Sequence, residues 1–77
     1  MTKQHILNTL KTLYLHQLGS LPEFTLTTTH EMLDMDTLDE VEVLLAIEDE
    51  FDIAIADEAW ESCKTIGDIV TLIESNI

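Results

Sequence analysis

The spacing of apolar residues predicts four helices in this chain. In segment 3–18, apolar residues recur every three or four positions and form one stripe (Ile6, Leu7, Leu10, Leu13 and Tyr14). Thr2 is placed to cap the start of this segment, and Gly19 is placed to end it with a positive φ. We therefore expect a first amphipathic helix that buries one face.

Segment 37–51 predicts a second helix with a broader apolar arc. Asp36 precedes it as an N-cap, and Asp39 lies three residues later, where its side chain can bond back. Acidic residues fill the opposite side, and Glu40 and Glu48 fall inside the apolar arc. These two interruptions indicate that the arc is not buried along its whole width.

Two further helices are predicted in the last third of the chain. Segment 57–63 is expected to be short and capped by Asp57. Segment 66–76 follows a capping-box pattern at residues 65–68 and carries an apolar stripe (Ile66, Ile69, Val70 and Ile73). Three amphipathic helices and one short helix predict an all-α small bundle, with residues 1–77 forming a single domain.

Segment 20–35 is predicted to be a long loop. Pro22 disfavours helix, and the threonines that follow it are poor helix formers. Four apolar residues are expected to pin the loop to the core (Leu21, Phe24, Leu26 and Leu33). Ile53 and Ile55 are expected to do the same in the later connection. A loop of this length inside a small domain is often functional.

Charge then narrows the classes of partner. The 77 residues carry a formal charge of −13, and 45% of them are hydrophobic, which is too many for a disordered acidic tail. Residues 1–30 sum to +1 and residues 31–77 to −14. Such acidity argues against nucleic acid and anionic membranes as partners, and no segment is long and apolar enough to insert into a membrane. One cysteine and the absence of a signal-peptide pattern favour a cytoplasmic location. We also expect the protein to be a monomer.

Neither a metal site nor a catalytic site is predicted. The acidic stretch 34–42 lacks the glycine and the terminal glutamate of a calcium loop. His5, His16 and His30 show no metal-ligand or triad spacing, and we expect them to be solvated surface residues. An enzyme is therefore not expected.

Thr37 is the one residue whose position favours a modification. It follows the N-cap acid, so its hydroxyl lies at a helix N-terminus, where free N–H groups and the helix dipole favour an attached phosphate. From the residues alone, an ordinary first-turn threonine is the simpler interpretation.

A resemblance to known proteins favours modification of Thr37 over an ordinary first-turn threonine. Segment 36–42 reads Asp-Thr-Leu-Asp-Glu-Val-Glu, segment 55–58 reads Ile-Ala-Asp-Glu, and segment 65–68 reads Thr-Ile-Gly-Asp. In this order, these motifs resemble the acyl carrier protein family, closely over residues 31–77 and generically over residues 1–30. The resemblance implies a carrier that holds acyl groups as thioesters on a 4′-phosphopantetheine arm. The attachment position maps onto Thr37, and the flanking motif onto Asp36 and Leu38.

The resemblance also implies the partners. They are a phosphopantetheinyl transferase and acyl-handling enzymes whose basic docking patches meet acids of the second helix (Asp39, Glu42, Glu48 and Asp49). Val41 and Leu45, together with Leu38, match the family's apolar patch beside the arm. The bundle interior resembles the cavity that shelters an acyl chain.

The chain departs from the family pattern at four positions. Thr37 replaces serine, Asp34 replaces a glycine, Ala56 replaces a proline, and Trp60 lies where smaller or charged residues are usual. The β-methyl of threonine crowds its hydroxyl. Three hypotheses therefore stay open: a carrier modified at Thr37, an unmodified interaction module of the same fold, and a carrier in which a Ser-to-Thr change blocks loading. Trp60 is interpreted as a packing residue, with capping of the cavity or docking of a partner as alternatives.

Overall fold

Four helices and no strand form the structure of this chain, a computed structural model that describes all of residues 1–77. They are α1 (Lys3–Leu18), α2 (Thr37–Phe51), α3 (Asp57–Ser62) and α4 (Ile66–Glu74). α1 packs against both α2 and α4. The prediction of an all-α bundle with three longer helices and one short helix is confirmed.

The starts of the three longer helices follow the capping residues in the sequence. The Thr2 side chain accepts a hydrogen bond from the His5 N–H at 3.1 Å. α2 and α4 both begin with a complete capping box, formed by Asp36 with Asp39 and by Thr65 with Asp68. Gly19 ends α1 at φ 82°, as predicted.

The start of α3 was predicted wrongly. Asp57 is its first helical residue and not its cap, since Ala56 occupies the N-cap position and has no side-chain acceptor. Asp57 and Glu58 instead place two carboxylates in the first turn, where the helix dipole favours negative charge. α3 and α4 end at Ser62 and Glu74, one and two residues earlier than predicted.

Twelve buried apolar side chains form one core. α1 supplies Ile6, Leu10 and Tyr14, α2 supplies Val43 and Ile47, and α4 supplies Ile66, Ile69, Val70 and Ile73. Phe24 and Leu33 from the long loop and Ile55 from the later connection complete the core, whereas α3 buries no residue fully. α1 and α4 therefore supply seven of the twelve core side chains, and α2 supplies two.

The long loop is attached to α4 through the backbone. The N–H of Ile66 donates to the Thr28 carbonyl and the N–H of Gly67 donates to the Leu26 carbonyl, each at 2.8 Å. A Cβ at residue 67 would lie 2.9 Å from that Leu26 oxygen, so this close approach requires glycine. Leu26 was expected to pin the loop with its side chain, but that side chain is exposed and only its carbonyl makes the attachment.

None of the four helices combines the length and the apolar character needed to span a bilayer.

Candidate functional site

Thr37 is the first residue of α2 and is exposed. The capping box fixes the backbone on either side of it, because the Asp36 carboxylate accepts from the Asp39 N–H at 2.8 Å. The N–H groups of Thr37 and Leu38 donate no hydrogen bond within the chain, and the Thr37 hydroxyl makes none either. The hydroxyl is thus free to react, beside two free N–H donors that suit a phosphate group.

The loop reaches this position through a left-handed residue. Asp34 has φ 56°, a conformation that glycine adopts at no steric cost and that aspartate tolerates better than most residues. Asp34 is the position at which the resemblance described above implies glycine. The structure therefore keeps the backbone turn that this position requires while using a costlier residue.

A cleft of about 440 Å³ opens beside Thr37, between α2 and α3. Its half-buried floor consists of His30, Glu40, Leu44, Trp60 and Cys63, and its exposed rim consists of Thr37, Val41, Asp57 and Glu61. The proposed attachment hydroxyl thus lies at the edge of a cleft that is partly apolar and partly charged.

A chain of three polar side chains crosses the floor of this cleft. The Nδ1 atom of His30 lies 2.8 Å from Oε1 of Glu40, and its Nε2 atom lies 2.6 Å from Oη of Tyr14. Since a carboxylate only accepts, Nδ1–H donates to Glu40, and in the neutral ring Nε2 accepts from the Tyr14 hydroxyl. The three side chains join the loop, α2 and α1 at one point.

Tyr14 is fully buried at the inner end of this chain. Burial raises the pKa of Tyr14 far above its usual value, and the negative charge of Glu40, together with that of Cys63 once its thiol ionises at alkaline pH, raises it further. The phenol therefore stays protonated and donates its hydrogen bond at every physiological pH.

His30 was predicted to be a solvated surface residue, and this prediction is wrong. Its side chain is 19% exposed, and both ring nitrogens are bonded. The Trp60 ring packs against it with centroids 5.4 Å apart. The interruption of the apolar arc at Glu40 was the one available sign, since an acid at that point requires a partner. His5 and His16 are exposed, as predicted.

The four acids predicted to meet partners have different surroundings. Asp39 accepts from the Asp36 N–H in the capping box, and Glu42 accepts from the Gln17 side chain. Glu48 accepts from the Ile55 N–H at 2.8 Å and so holds the connection after α2. The Asp49 side chain is exposed and makes no hydrogen bond within the chain, so it is the acid among these four that is wholly available.

The apolar residues predicted to lie beside the arm are on the surface. Leu38 is 64% exposed, Val41 47% and Leu45 59%. They follow one another at helical spacing along α2, so they form a single ridge with Thr37 at its N-terminal end. Trp60 lies on the other side of the cleft, half-buried against the core, which confirms its packing role and adds a role in lining the cleft.

Cys63 contributes a thiol to the floor of the same cleft. Burial raises the pKa of the Cys63 thiol, and the nearby Asp68 carboxylate raises it further. The thiol is therefore protonated at neutral pH and is a poor nucleophile. No group of three or more His, Cys, Asp or Glu side chains is arranged to hold a metal ion.

Comparison with known proteins connects this geometry to one family. A family model described as a phosphopantetheine attachment site matches residues 8–73. The fold is similar to that of a candidate acyl carrier protein from Mycobacterium tuberculosis, with 26% identity, a TM-score of 0.82, and coverage of 88% of this chain and 93% of that one. It is also similar to the holo acyl carrier protein from Geobacter metallireducens, with 20% identity, a TM-score of 0.81, and coverage of 90% and 82%.

Proposed function

Because the chain belongs to the phosphopantetheine-attachment family, whose members are carriers and not catalysts, we propose that it carries acyl groups as thioesters on an arm attached at Thr37. The single observation that supports this most is the state of the Thr37 hydroxyl. It is exposed, free of intramolecular hydrogen bonds, and held at the first turn of α2 by an intact capping box. When bound, 4′-phosphopantetheine supplies the thiol that forms the thioester.

The residues around Thr37 fit such an attachment. The free N–H groups at the start of α2 stabilise the negative charge of a phosphodiester at Thr37. In the loading step, Oγ1 of Thr37 forms a bond to the phosphorus atom of coenzyme A that carries the pantetheine. The phosphoanhydride bond breaks, adenosine 3′,5′-bisphosphate leaves, and the hydroxyl proton passes to a base of the transferase.

The β-methyl of Thr37 is the main departure from the family pattern. It restricts rotation about χ1 and crowds the hydroxyl, so a transferase shaped for serine accepts threonine less well. Because Thr37 is exposed, this methyl contacts the transferase and not the interior of the carrier. We therefore expect loading of threonine to be slower than loading of serine, with no change in fold.

Carrier proteins of this family interact with transferases and acyl-handling enzymes, and we propose that α2 is the surface these partners contact. The apolar ridge of Leu38, Val41 and Leu45 offers area to bury, and Asp39, Glu42, Glu48 and Asp49 lie on the same helix. A basic patch on the partner is steered toward these acids, which increases the association rate more than the lifetime of the complex.

Intact mass after incubation with a broad-specificity transferase, coenzyme A and magnesium tests the proposal. We expect the wild-type protein to gain one phosphopantetheine group. The gain is absent in Thr37→Ala, which leaves the helix start unchanged because Asp36 supplies the cap. It is faster in Thr37→Ser, which is the matched control for the methyl.

The alternative function, an unmodified interaction module, is favoured by one observation, the threonine itself. It predicts no mass gain in the wild type, either in vitro or in protein isolated from its host, together with a gain in Thr37→Ser. That combination also describes a carrier in which the Ser-to-Thr change blocks loading, and it would refute attachment at Thr37.

A further inference from the structure

The start of α2 contains two overlapping capping-box patterns. Residues 36–40 read Asp-Thr-Leu-Asp-Glu, so a capping residue is followed three positions later by an acid twice. The first box pairs Asp36 with Asp39, and the second would pair Thr37 with Glu40. The second has the Ser/Thr-x-x-Glu form that is usual for this motif. The sequence therefore allows α2 to begin at residue 37 or one residue later.

The two starts leave Thr37 in opposite states. With Asp36 as the cap, as observed, Thr37 is the first helical residue, and its hydroxyl and N–H make no hydrogen bond within the chain. With Thr37 as the cap, its hydroxyl would accept from the Glu40 N–H, and its own N–H would donate to the Glu40 carboxylate. The second start would thus engage the hydroxyl and turn the backbone of Thr37 from helical to extended.

The contacts of Glu40 decide between the two starts. Its N–H donates to the Asp36 carbonyl at 3.1 Å, and its Oε1 atom accepts from Nδ1–H of His30 at 2.8 Å. The carboxylate is therefore bonded to the loop, ten residues earlier in the chain, and not to the start of its own helix. His30 is itself fixed, because its Nε2 atom accepts from the fully buried Tyr14 hydroxyl and the Trp60 ring packs against it.

We propose that His30 is a positioning residue that selects the start of α2. By holding the Glu40 carboxylate against the loop, it prevents the second box and leaves the first box without a competitor. The Thr37 hydroxyl consequently stays free. The effect on loading rests on the proposed attachment at Thr37, whereas the choice of helix start does not.

The experiment replaces His30 without leaving a buried hydroxyl unpaired. All variants carry Tyr14→Phe, and the protein with Tyr14→Phe alone is the reference. His30→Phe keeps an aromatic ring beside Trp60 but removes the donor to Glu40, whereas His30→Gln keeps an amide N–H donor. His30→Leu also lacks a donor and replaces His30→Phe if that variant does not fold. Backbone ¹³C chemical shifts of Thr37 distinguish the helical from the extended conformation in each variant.

We expect helical shifts at Thr37 in the reference and in His30→Gln, and a change toward extended values in His30→Phe. Adding Glu40→Ala to His30→Phe should restore the helical shifts, because the second box requires the Glu40 carboxylate. If His30 acted only through packing, this further truncation would not reverse the change.

The rate of mass gain with the transferase gives a second measurement. It is made with Thr37 and with Thr37→Ser, so that a refractory threonine does not prevent the comparison. We expect His30→Phe to reduce the rate ~3- to 10-fold when Glu40 is present, which is the effect of about one capping interaction. In the presence of Glu40→Ala, the same substitution should reduce the rate by less than about 2-fold, because no second box can form.

Helical shifts at Thr37 in every variant would overturn the inference, and so would a change in His30→Phe that Glu40→Ala fails to reverse. Both results are obtained without loading. If the Thr37 shifts respond as expected but the protein gains no mass, the proposed function is contradicted and the selection of the helix start stands. If the protein gains mass and Thr37 stays helical in His30→Phe, the reverse holds.

Discussion

α2 and α4 begin in the same way and then use their apolar residues differently. Both start with a capping box in which the N3 aspartate bonds back to the cap. α4 buries four apolar side chains over nine residues, whereas α2 buries two over fifteen. Three further apolar residues of α2 are exposed and form the ridge of Leu38, Val41 and Leu45.

This difference separates a helix that holds the fold from a helix that presents a surface. Exposed apolar residues in a continuous ridge are typical of interaction sites, whereas isolated ones are ordinary. α2 is held partly by polar contacts, since Glu40 bonds His30 of the loop and Glu48 bonds the backbone of Ile55. Such contacts attach the helix from its sides and leave its outer face exposed, where we propose that partners bind.

Truncation of one apolar residue in each helix gives the largest expected contrast. Ile73 of α4 is fully buried, so Ile73→Ala should lower the free energy of unfolding by about 2–5 kcal/mol through lost burial and a cavity. Leu45 of α2 is mostly exposed, so Leu45→Ala should change the free energy of unfolding by less than about 0.5 kcal/mol. Urea denaturation followed by far-UV circular dichroism measures both.

Val43→Ala is the control for this contrast, because Val43 is a fully buried residue of α2. If burial and not the choice of helix decides the cost, Val43→Ala should destabilise clearly more than Leu45→Ala. Similar decreases in the free energy of unfolding for Ile73→Ala and Leu45→Ala would show that the exposed ridge of α2 contributes to the stability of the fold.

The sequence predicted the helices better than the site, and particular residues explain why. Thr2, Asp36, Thr65 and Gly19 act on their nearest neighbours in the chain, so capping is visible in a short window of sequence. The hydrogen bonds of His30 join residues 14, 30 and 40, and no local pattern records which side chains the fold brings together.

The exposed residues of α2 were predictable from the local pattern, whereas the cleft beside them was not. The periodic pattern of α2 made Leu38, Val41 and Leu45 candidates, and the interruptions at Glu40 and Glu48 correctly indicated incomplete burial. The cleft was not predictable in the same way, because it depends on how α3 lies against α2. The N-cap of α3 was predicted at Asp57 because aspartate is a common capping residue. The actual N-cap is the residue before it, Ala56, which has no polar side chain.

The hydrogen-bonded side chains that attach α2 include a group that titrates at alkaline pH, Tyr14, whereas the buried face of α4 contains no titratable group. Alkaline pH should therefore weaken the first attachment and not the second. The pKa of Tyr14 is raised in the folded protein, so the unfolded chain releases this proton first as pH rises. The stabilisation is fully present below pH 10, the usual pKa of tyrosine, and is lost above it. One such proton lowers the free energy of unfolding by roughly 1.4 kcal/mol per pH unit there.

Tyr14→Phe isolates this effect. It removes the hydrogen bond to His30, so we expect it to be less stable than the wild type at neutral pH by about 1 kcal/mol. Above pH 10 its free energy of unfolding should fall less steeply, and the two curves should converge. Since Tyr14 is the one tyrosine of the chain, tyrosinate absorbance follows its ionisation directly. Ionisation of Tyr14 near its usual pKa while the helices remain folded would contradict its buried position.

The smallest effect lies at the ends of the two helices. Asp52, the C-cap of α2, has φ 54° and ψ 49°, a left-handed conformation that glycine adopts without strain, whereas Ser75, the C-cap of α4, has φ −75°. Asp52→Gly should therefore raise the free energy of unfolding by about 0.5–1 kcal/mol, because the relief of strain exceeds the added freedom of the unfolded chain. It also removes a negative charge from a helix C-terminus, where the dipole disfavours it.

Asp52→Asn removes the charge alone and should recover only part of the gain, and Ser75→Gly, with no strain to relieve, should give none. Thermal melts at two salt concentrations separate the contributions, since the electrostatic part is screened and the conformational part is not. A gain in Ser75→Gly equal to that in Asp52→Gly would show that the left-handed end of α2 is not strained.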